Sequence, residues 1–138
     1  MKKVIIKKII PIQNSKGKII KFLDTSSKSY QGFGEVYFSY IKKNNIKAWK
    51  LNKNVTSNLI VPVGKVLIVI YDQNEKLILK RFVFAGTTVL IPPLFYYGFM
   101  GIEENNLIVN FLNKKYTSKN AHNYQLSKFN FNWKKYKK

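Results

Sequence analysis

Short runs of β-branched and aromatic residues recur along this chain, each broken after a few positions by turn residues, and this repetition constrains the fold more than any other feature. The runs occupy residues 4–12, 18–23, 34–41, 46–51, 58–63, 65–71, 77–83, 88–91 and 107–112. Between them lie Asn14-Ser15-Lys16-Gly17, Lys43-Asn44-Asn45, Pro62-Val63-Gly64, Asp72-Gln73-Asn74 and Glu104-Asn105-Asn106, all of them turn chemistry. Short strands at such spacing predict an all-β sandwich or barrel. No long stretch keeps an apolar face at i, i+3, i+4 and i+7. Little helix is therefore expected, at most a turn around Lys119–Tyr124.

A chain of 138 residues fits one domain, residues 1–138, and is long enough for a core without staples. It has no cysteine, one histidine (His122) and six acidic residues. That inventory supplies no disulfide, no thiolate site and no multi-histidine metal cluster. We expect neither metal nor cofactor. The N-terminal residues MKKVIIKKIIPI hold only short apolar pairs interrupted by Lys7 and Lys8. A signal peptide needs about 7–15 continuous apolar residues and a membrane helix about 18 or more. The sequence thus predicts a soluble cytoplasmic protein that does not enter a membrane.

The net charge of +19 invites anions as partners. Arg81 is the only arginine among 25 basic residues, and Asn and Ile are abundant alongside Lys. Such a composition follows from an A/T-rich genome as readily as from nucleic-acid binding. The lysines are also dispersed, apart from the tail Lys134, Lys135, Lys137 and Lys138, which reads as a solvated end. Nucleic acid is therefore not the expected partner.

Alternation assigns faces within the strands. In residues 35–40, Val36, Phe38 and Tyr40 share one face while Glu35, Tyr37 and Ser39 share the other. Gly32-Phe33-Gly34 before this strand would allow a bulge or close backbone approach. Ile91-Pro92-Pro93 cannot run through a central strand and marks a corner, with 94–98 entering the next strand.

Four segments, in order, resemble the dTDP-4-dehydrorhamnose 3,5-epimerase family. They are Gly32–Ser39 followed by Ile46-Lys47-Ala48-Trp49-Lys50, then Thr56–Val66 leading to Val69-Ile70-Tyr71-Asp72, then Ile91–Phe99, and finally Phe129-Asn130-Phe131-Asn132-Trp133. The resemblance covers about residues 30–133. It implies a cupin-type jelly-roll barrel (double-stranded β-helix), a homodimer, and a nucleotide sugar bound inside the barrel. Epimerisation beside a ketone needs a base to take an α-proton and an acid to return one. The family's base is a histidine shortly after an arginine, oriented by an aspartate, and its acid is a tyrosine on a later strand. Here the arginine position reads Lys47 and the histidine position Lys50, or Asn52 in an alternative spacing. The tyrosine position falls near Asn110 or Phe111, His122 does not match the base, and nothing matches the aspartate. The 3,4-ketoisomerases of the same barrel class carry His-x-His where this chain reads Lys50-Leu51-Asn52.

Candidate site residues follow from both readings. Lys50 and Tyr97 are the catalytic candidates, and Glu35, Tyr37, Lys47, Trp49, Asn52, Asn58 and Tyr96 the substrate-binding ones. Lys47 and Lys50 are three apart, so both face inward only if a bulge intervenes, and otherwise one is a solvated outer lysine. Inward, a lysine can meet a diphosphate as a point charge or serve as a base. Tyr96, Tyr97 and Trp49 either touch the sugar or base or pack as core. Glu35 faces water or a polar cavity, and Asn58 is a ligand amide or an ordinary strand start. The expected function is that of a nucleotide-sugar epimerase or isomerase acting on a dTDP- or similarly activated 4-keto hexose in cell-surface carbohydrate biosynthesis. The alternatives are a non-catalytic sugar-nucleotide or carbohydrate-binding cupin, and a basic oligonucleotide-binding barrel. The last would use exposed aromatics, for which Tyr30/Phe33 and Trp133/Tyr136 are the candidates.

Overall fold

The computed structural model describes residues 3–138, so the basic start at residues 1 and 2 lies outside the described residues. Its elements are β1 (Ile5–Lys8), β2 (Ile12–Asn14), β3 (Gly17–Ile19), β4 (Glu35–Lys42), β5 (Ile46–Asn52), β6 (Ser57–Val63), β7 (Lys65–Tyr71), β8 (Leu77–Phe84), β9 (Thr87–Ile91), β10 (Tyr96–Gly101), β11 (Asn105–Leu112) and β12 (Ala121–Asn123). Two 3-10 turns, Leu126–Lys128 and Trp133–Tyr136, follow. One sheet runs β1-β9-β6-β11-β4 and the other β12-β5-β10-β7-β8, while β2 and β3 form a separate hairpin. Within them, β4-β11-β6-β9 and β5-β10-β7-β8 are the two four-stranded layers of a jelly roll. The fold is the all-β cupin-type barrel that the strand pattern and the resemblance predict.

Two apolar clusters hold it together. Ile41, Leu59, Val61, Val66, Ile68, Ile70, Val89 and Phe99 meet between the sheets. Trp49, Leu67, Val69, Met100, Ile102, Phe129 and Trp133 cover the outer face of the second sheet beneath the C-terminal segment. Strand β7 lies between the two clusters, which explains why residues 66–70 are an unbroken apolar run, all buried, where a half-buried strand would alternate.

Departures from the expected elements have local causes. The run 4–12 contains Pro11, which cannot donate to a ladder, and it divides into β1 and β2. The run 18–23 shortens to β3. Pro62 and Val63 belong to β6 instead of a turn: pairing with β11 shifts register between Leu107↔Val63 and Val109↔Ile60, and Pro62 sits in that irregular step. The turn itself falls on Gly64 at φ 83°, where a Cβ would stand 2.2 Å from the Asn105 carbonyl oxygen. The helical turn expected around Lys119–Tyr124 is replaced by β12, because the open edge of β5 supplies ladder partners that local propensity does not reveal. Two turn assignments have side-chain anchors. Asp72 Oδ1 accepts from the Asn74 and Lys76 amides at 2.9 Å each. Buried Asn106 accepts from the Lys65 and Glu103 amides and donates to the Ile41 and Glu103 carbonyls, which ties three loops together. No helix of the described residues is long and apolar enough to cross a membrane.

Candidate active site

A cavity of about 270 Å³ opens between β4, β5, β10 and β11, lined among others by Tyr37, Ser39, Lys47, Lys50, Tyr97 and Asn110. Its polar wall begins in β4. This strand turns Glu35, Tyr37 and Ser39 inward and leaves Val36, Phe38 and Tyr40 outside, the reverse of a strand that merely closes a core.

Strand β5 brings both lysines to that wall by the bulge the spacing requires. Tyr97 of β10 pairs with Lys50 and Phe99 pairs with Lys47, so Ala48 and Trp49 together oppose Gly98. Two residues against one restore the inward direction, and the peptide between Ala48 and Trp49 is cis. Gly98 makes room for the bulge, since a Cβ there would lie 2.5 Å from the Ala48 Cβ.

The inward side chains form one connected network. Lys47 Nζ donates to Ser39 Oγ at 2.9 Å. Lys50 Nζ donates to the Tyr37 hydroxyl at 3.3 Å and stands 5.4 Å from the ring centroids of Tyr37 and Tyr116. The Tyr37 hydroxyl also accepts from Asn110 Nδ2 at 2.9 Å, and Ser57 Oγ donates to Asn110 Oδ1 at 2.7 Å. The Ser57 bond thereby fixes which end of the Asn110 amide faces Tyr37. Deeper in the barrel, Asn52 Nδ2 donates to the Tyr97 hydroxyl at 3.3 Å. Tyr97 is 2 % exposed, and burial, reinforced by the nearby Tyr37 hydroxyl, pushes its phenol far above the ordinary value. It therefore stays a neutral donor across the physiological range. The described residues contain two ion pairs, Lys43–Glu104 and Lys128–Glu75, and neither involves a cavity lysine. The cavity is a cationic chamber without an internal counter-charge. Among the described residues no three His, Asp or Glu side chains cluster as metal ligands would, and the groups present suit an anionic, hydroxyl-rich organic ligand.

The structure brings Tyr37, Lys47, Lys50 and Tyr97 together, with Asn52 directly behind them, and moves the remaining candidates elsewhere. Trp49 borders the cavity, but its indole is 1 % exposed, packs against Phe129 and Trp133 and donates to the Leu126 carbonyl at 3.1 Å on the outer face. Tyr96 also points outward, against Tyr124 and Phe129. Both follow from β-strand alternation next to an inward Lys50 and Tyr97. Asn58 lies away from this cavity, on the outer face of the first sheet, where it donates to the Ser29 carbonyl at 2.9 Å. Glu35 shares the face of Tyr37, yet it stands beyond the cavity, where its carboxylate accepts from the Tyr116 amide at 3.0 Å. Its partner is a backbone amide, not a lysine. Three polar cavity residues were outside the candidate set: Ser39, Asn110 and Asn123. Alternation in β4 points to Ser39, whereas Asn123 depends on the pairing of β12 with β5 and left no local signal.

No protein-family model matches the sequence, nor does any curated protein. Solved structures do match. A dTDP sugar isomerase from Desulfovibrio desulfuricans G20 superposes with a TM-score of 0.86 at 24% identity, over 95% of this chain and 90% of that one. A dTDP-4-dehydrorhamnose 3,5-epimerase from Sulfolobus tokodaii gives 0.80 at 16% identity, over 93% and 80%. A mutant 3,4-ketoisomerase from Thermoanaerobacterium thermosaccharolyticum, in complex with TDP-4-keto-6-deoxyglucose, gives 0.72 at 15% identity, over 86% of each chain. At these identities the likeness establishes the fold, and the chain folds as the dTDP-sugar epimerase and isomerase barrels do.

Proposed function

We propose that this protein is an isomerase of the epimerase or ketoisomerase type, acting on a dTDP- or similarly activated 4-keto hexose inside the barrel. The observation that carries this reading is the convergence of Lys50, Tyr37 and Tyr97 on one cavity, in a barrel shaped like those of dTDP-sugar isomerases and epimerases. The cavity falls just below the roughly 300–1,000 Å³ of sites that enclose drug-sized ligands. It suits the hexose, with the diphosphate at the rim beside Lys47.

The chemistry needs a proton moved at a carbon next to the ketone. Lys50 Nζ takes that proton while the C–H electron pair becomes the C=C bond of an enolate. The ketone oxygen takes up the negative charge and is met by the neutral Tyr97 hydroxyl, whose oxygen accepts from Asn52. Tyr37, hydrogen-bonded to Lys50, holds the amine at the wall. Return of a proton to the opposite face, or to the neighbouring carbon, completes epimerisation or ketone transfer. No external oxidant or reductant is consumed.

The direct test incubates the protein with dTDP-4-keto-6-deoxyglucose in deuterium oxide and follows the sugar by mass spectrometry. Solvent deuterium should enter the hexose, and Lys50→Ala and Tyr97→Phe should each slow exchange by about 10²-fold or more, the contribution of a placed acid or base. Binding without exchange would leave a carbohydrate-binding cupin in place of an enzyme. Unchanged exchange in Lys50→Ala removes Lys50 as the base.

A further inference from the structure

We propose that Glu35 is a positioning residue, whose carboxylate holds the loop between β11 and β12 so that the Tyr116 ring stands beside Lys50. Among the described residues Glu35 is the only acidic residue inside a strand, and the proton transfer above does not use it. It takes part in neither of the two ion pairs. Its Oε1 instead accepts from the Tyr116 amide at 3.0 Å, across 81 positions of sequence. An ionised acceptor makes such a bond stronger than a neutral one does.

The loop is fixed at both ends without Glu35, which leaves this bond to place its middle. The chain leaves β11 at Leu112, whose carbonyl accepts from the Gly34 amide at 2.8 Å. The Lys114–Lys115 peptide then lies against Gly34, where a Cβ would stand 2.1 Å from the Lys114 carbonyl carbon. Asn113 accepts from the Thr56 amide through Oδ1 at 2.8 Å and donates its own amide to the Thr56 carbonyl at 3.2 Å. At the far end the Asn120 carbonyl accepts from the Lys53 amide at 2.8 Å. Between them Tyr116 is 42% exposed and has little packing of its own. Its ring centroid lies 5.4 Å from Lys50 Nζ, the same distance as that of Tyr37, which shares the Glu35 face of β4. One strand thus sets both rings near the amine, Tyr37 directly and Tyr116 through the Glu35 carboxylate. A lysine ammonium is drawn to a ring face, and its long stem is flexible without such partners. The catalytic consequence rests on the isomerase reading above; the placement of Tyr116 and Lys50 does not.

The test compares Glu35→Ala, Glu35→Gln and Tyr116→Ala with the wild type, each checked for folding by circular dichroism. Without ligand, amide hydrogen exchange at Tyr116 should quicken by about 5-fold or more in Glu35→Ala, while the Asn113 amide keeps its protection. The NMR signals of the Lys50 methylene next to Nζ, shifted by the neighbouring rings, should move in the same direction in Glu35→Ala and Tyr116→Ala. Glu35→Gln loses the charge but keeps an acceptor, and should recover most of the wild-type behaviour. In the solvent-deuterium assay kcat should fall about 10-fold in Glu35→Ala and in Tyr116→Ala, and the double variant should be no slower than either. Unchanged Tyr116 exchange in Glu35→Ala, unmoved Lys50 signals, or losses that add in the double variant each overturn the proposal. So does a Glu35→Gln variant that behaves as Glu35→Ala, because charge and not the hydrogen bond would then be responsible. If the wild type puts no deuterium into the sugar, the isomerase reading fails, and the amide exchange and Lys50 signals still decide the placement.

Discussion

At the residue scale, Tyr97 carries the sharpest expectation. Its buried phenol has a raised pKa, so the folded state resists ionisation while an unfolded tyrosine ionises near pH 10. Above that pH the unfolded chain loses a proton that the folded one keeps. Stability contributed below pH 10 is then lost as pH rises, at up to about 1.4 kcal/mol per unit. Tyr97→Phe removes this share of the slope, and urea midpoints between pH 9 and pH 11 for both proteins will show it. At neutral pH the variant leaves Asn52 Nδ2 without its acceptor, a loss of about 1–3 kcal/mol. Asn110→Asp is a more selective change. The carboxylate still accepts from Ser57 but can no longer donate to Tyr37. The expected result is a lower kcat and a higher KM in the exchange assay, because Tyr37 loses its donor and the new buried carboxylate opposes an anionic ligand; circular dichroism checks that the variant folds.

At the scale of elements, the bulge in β5 and the cap over the second sheet do separate jobs. The bulge aims the lysines and depends on the absence of a side chain at Gly98. Gly98→Ala places a methyl 2.5 Å from the Ala48 Cβ. Overpacking of this kind costs about 1–3 kcal/mol, and relaxation must move Ala48 or Trp49, and with them Lys47 or Lys50. Activity should fall further than thermal stability. The cap is anchored by Trp49, in edge contact with Tyr71 and Phe129 at 5.4 Å and 5.1 Å. Trp49→Ala should cost about 3–5 kcal/mol, read as a lowered denaturant midpoint. Ligand affinity should change little while the protein is folded, because the indole faces away from the cavity. That pair of outcomes separates the residue's packing role from the ligand contact its sequence position suggested.

For the whole molecule, the positive charge that no ion pair offsets inside the barrel predicts an anionic ligand. A thermal-shift screen against dTDP-, GDP-, UDP- and CDP-sugars should raise the melting temperature for one nucleotide class. Ligand at 100 times its dissociation constant adds about 2.7 kcal/mol. Lys47→Ala together with Lys50→Ala should abolish the shift.

Strand content, the corner at Pro92-Pro93 and most turns were legible in the sequence because period-two patterning and turn chemistry are local. The inward set on β4, Tyr37 included, was legible as an alternation, and Lys47, Lys50, Asn52 and Tyr97 were candidates through the resemblance to the epimerase family. Which face of β4 looks inward, and that Lys47 joins Lys50, only the tertiary structure decided, since the bulge arises from pairing between β5 and β10. The outward turn of Trp49, Tyr96 and Asn58 was likewise set by layers packed from remote segments. Asn123 reached the cavity on a strand that exists only because β5 had a free edge. A strand's pattern specifies two faces; its neighbours choose which of them meets the ligand, because burial is a property of the assembled sheets and not of the strand.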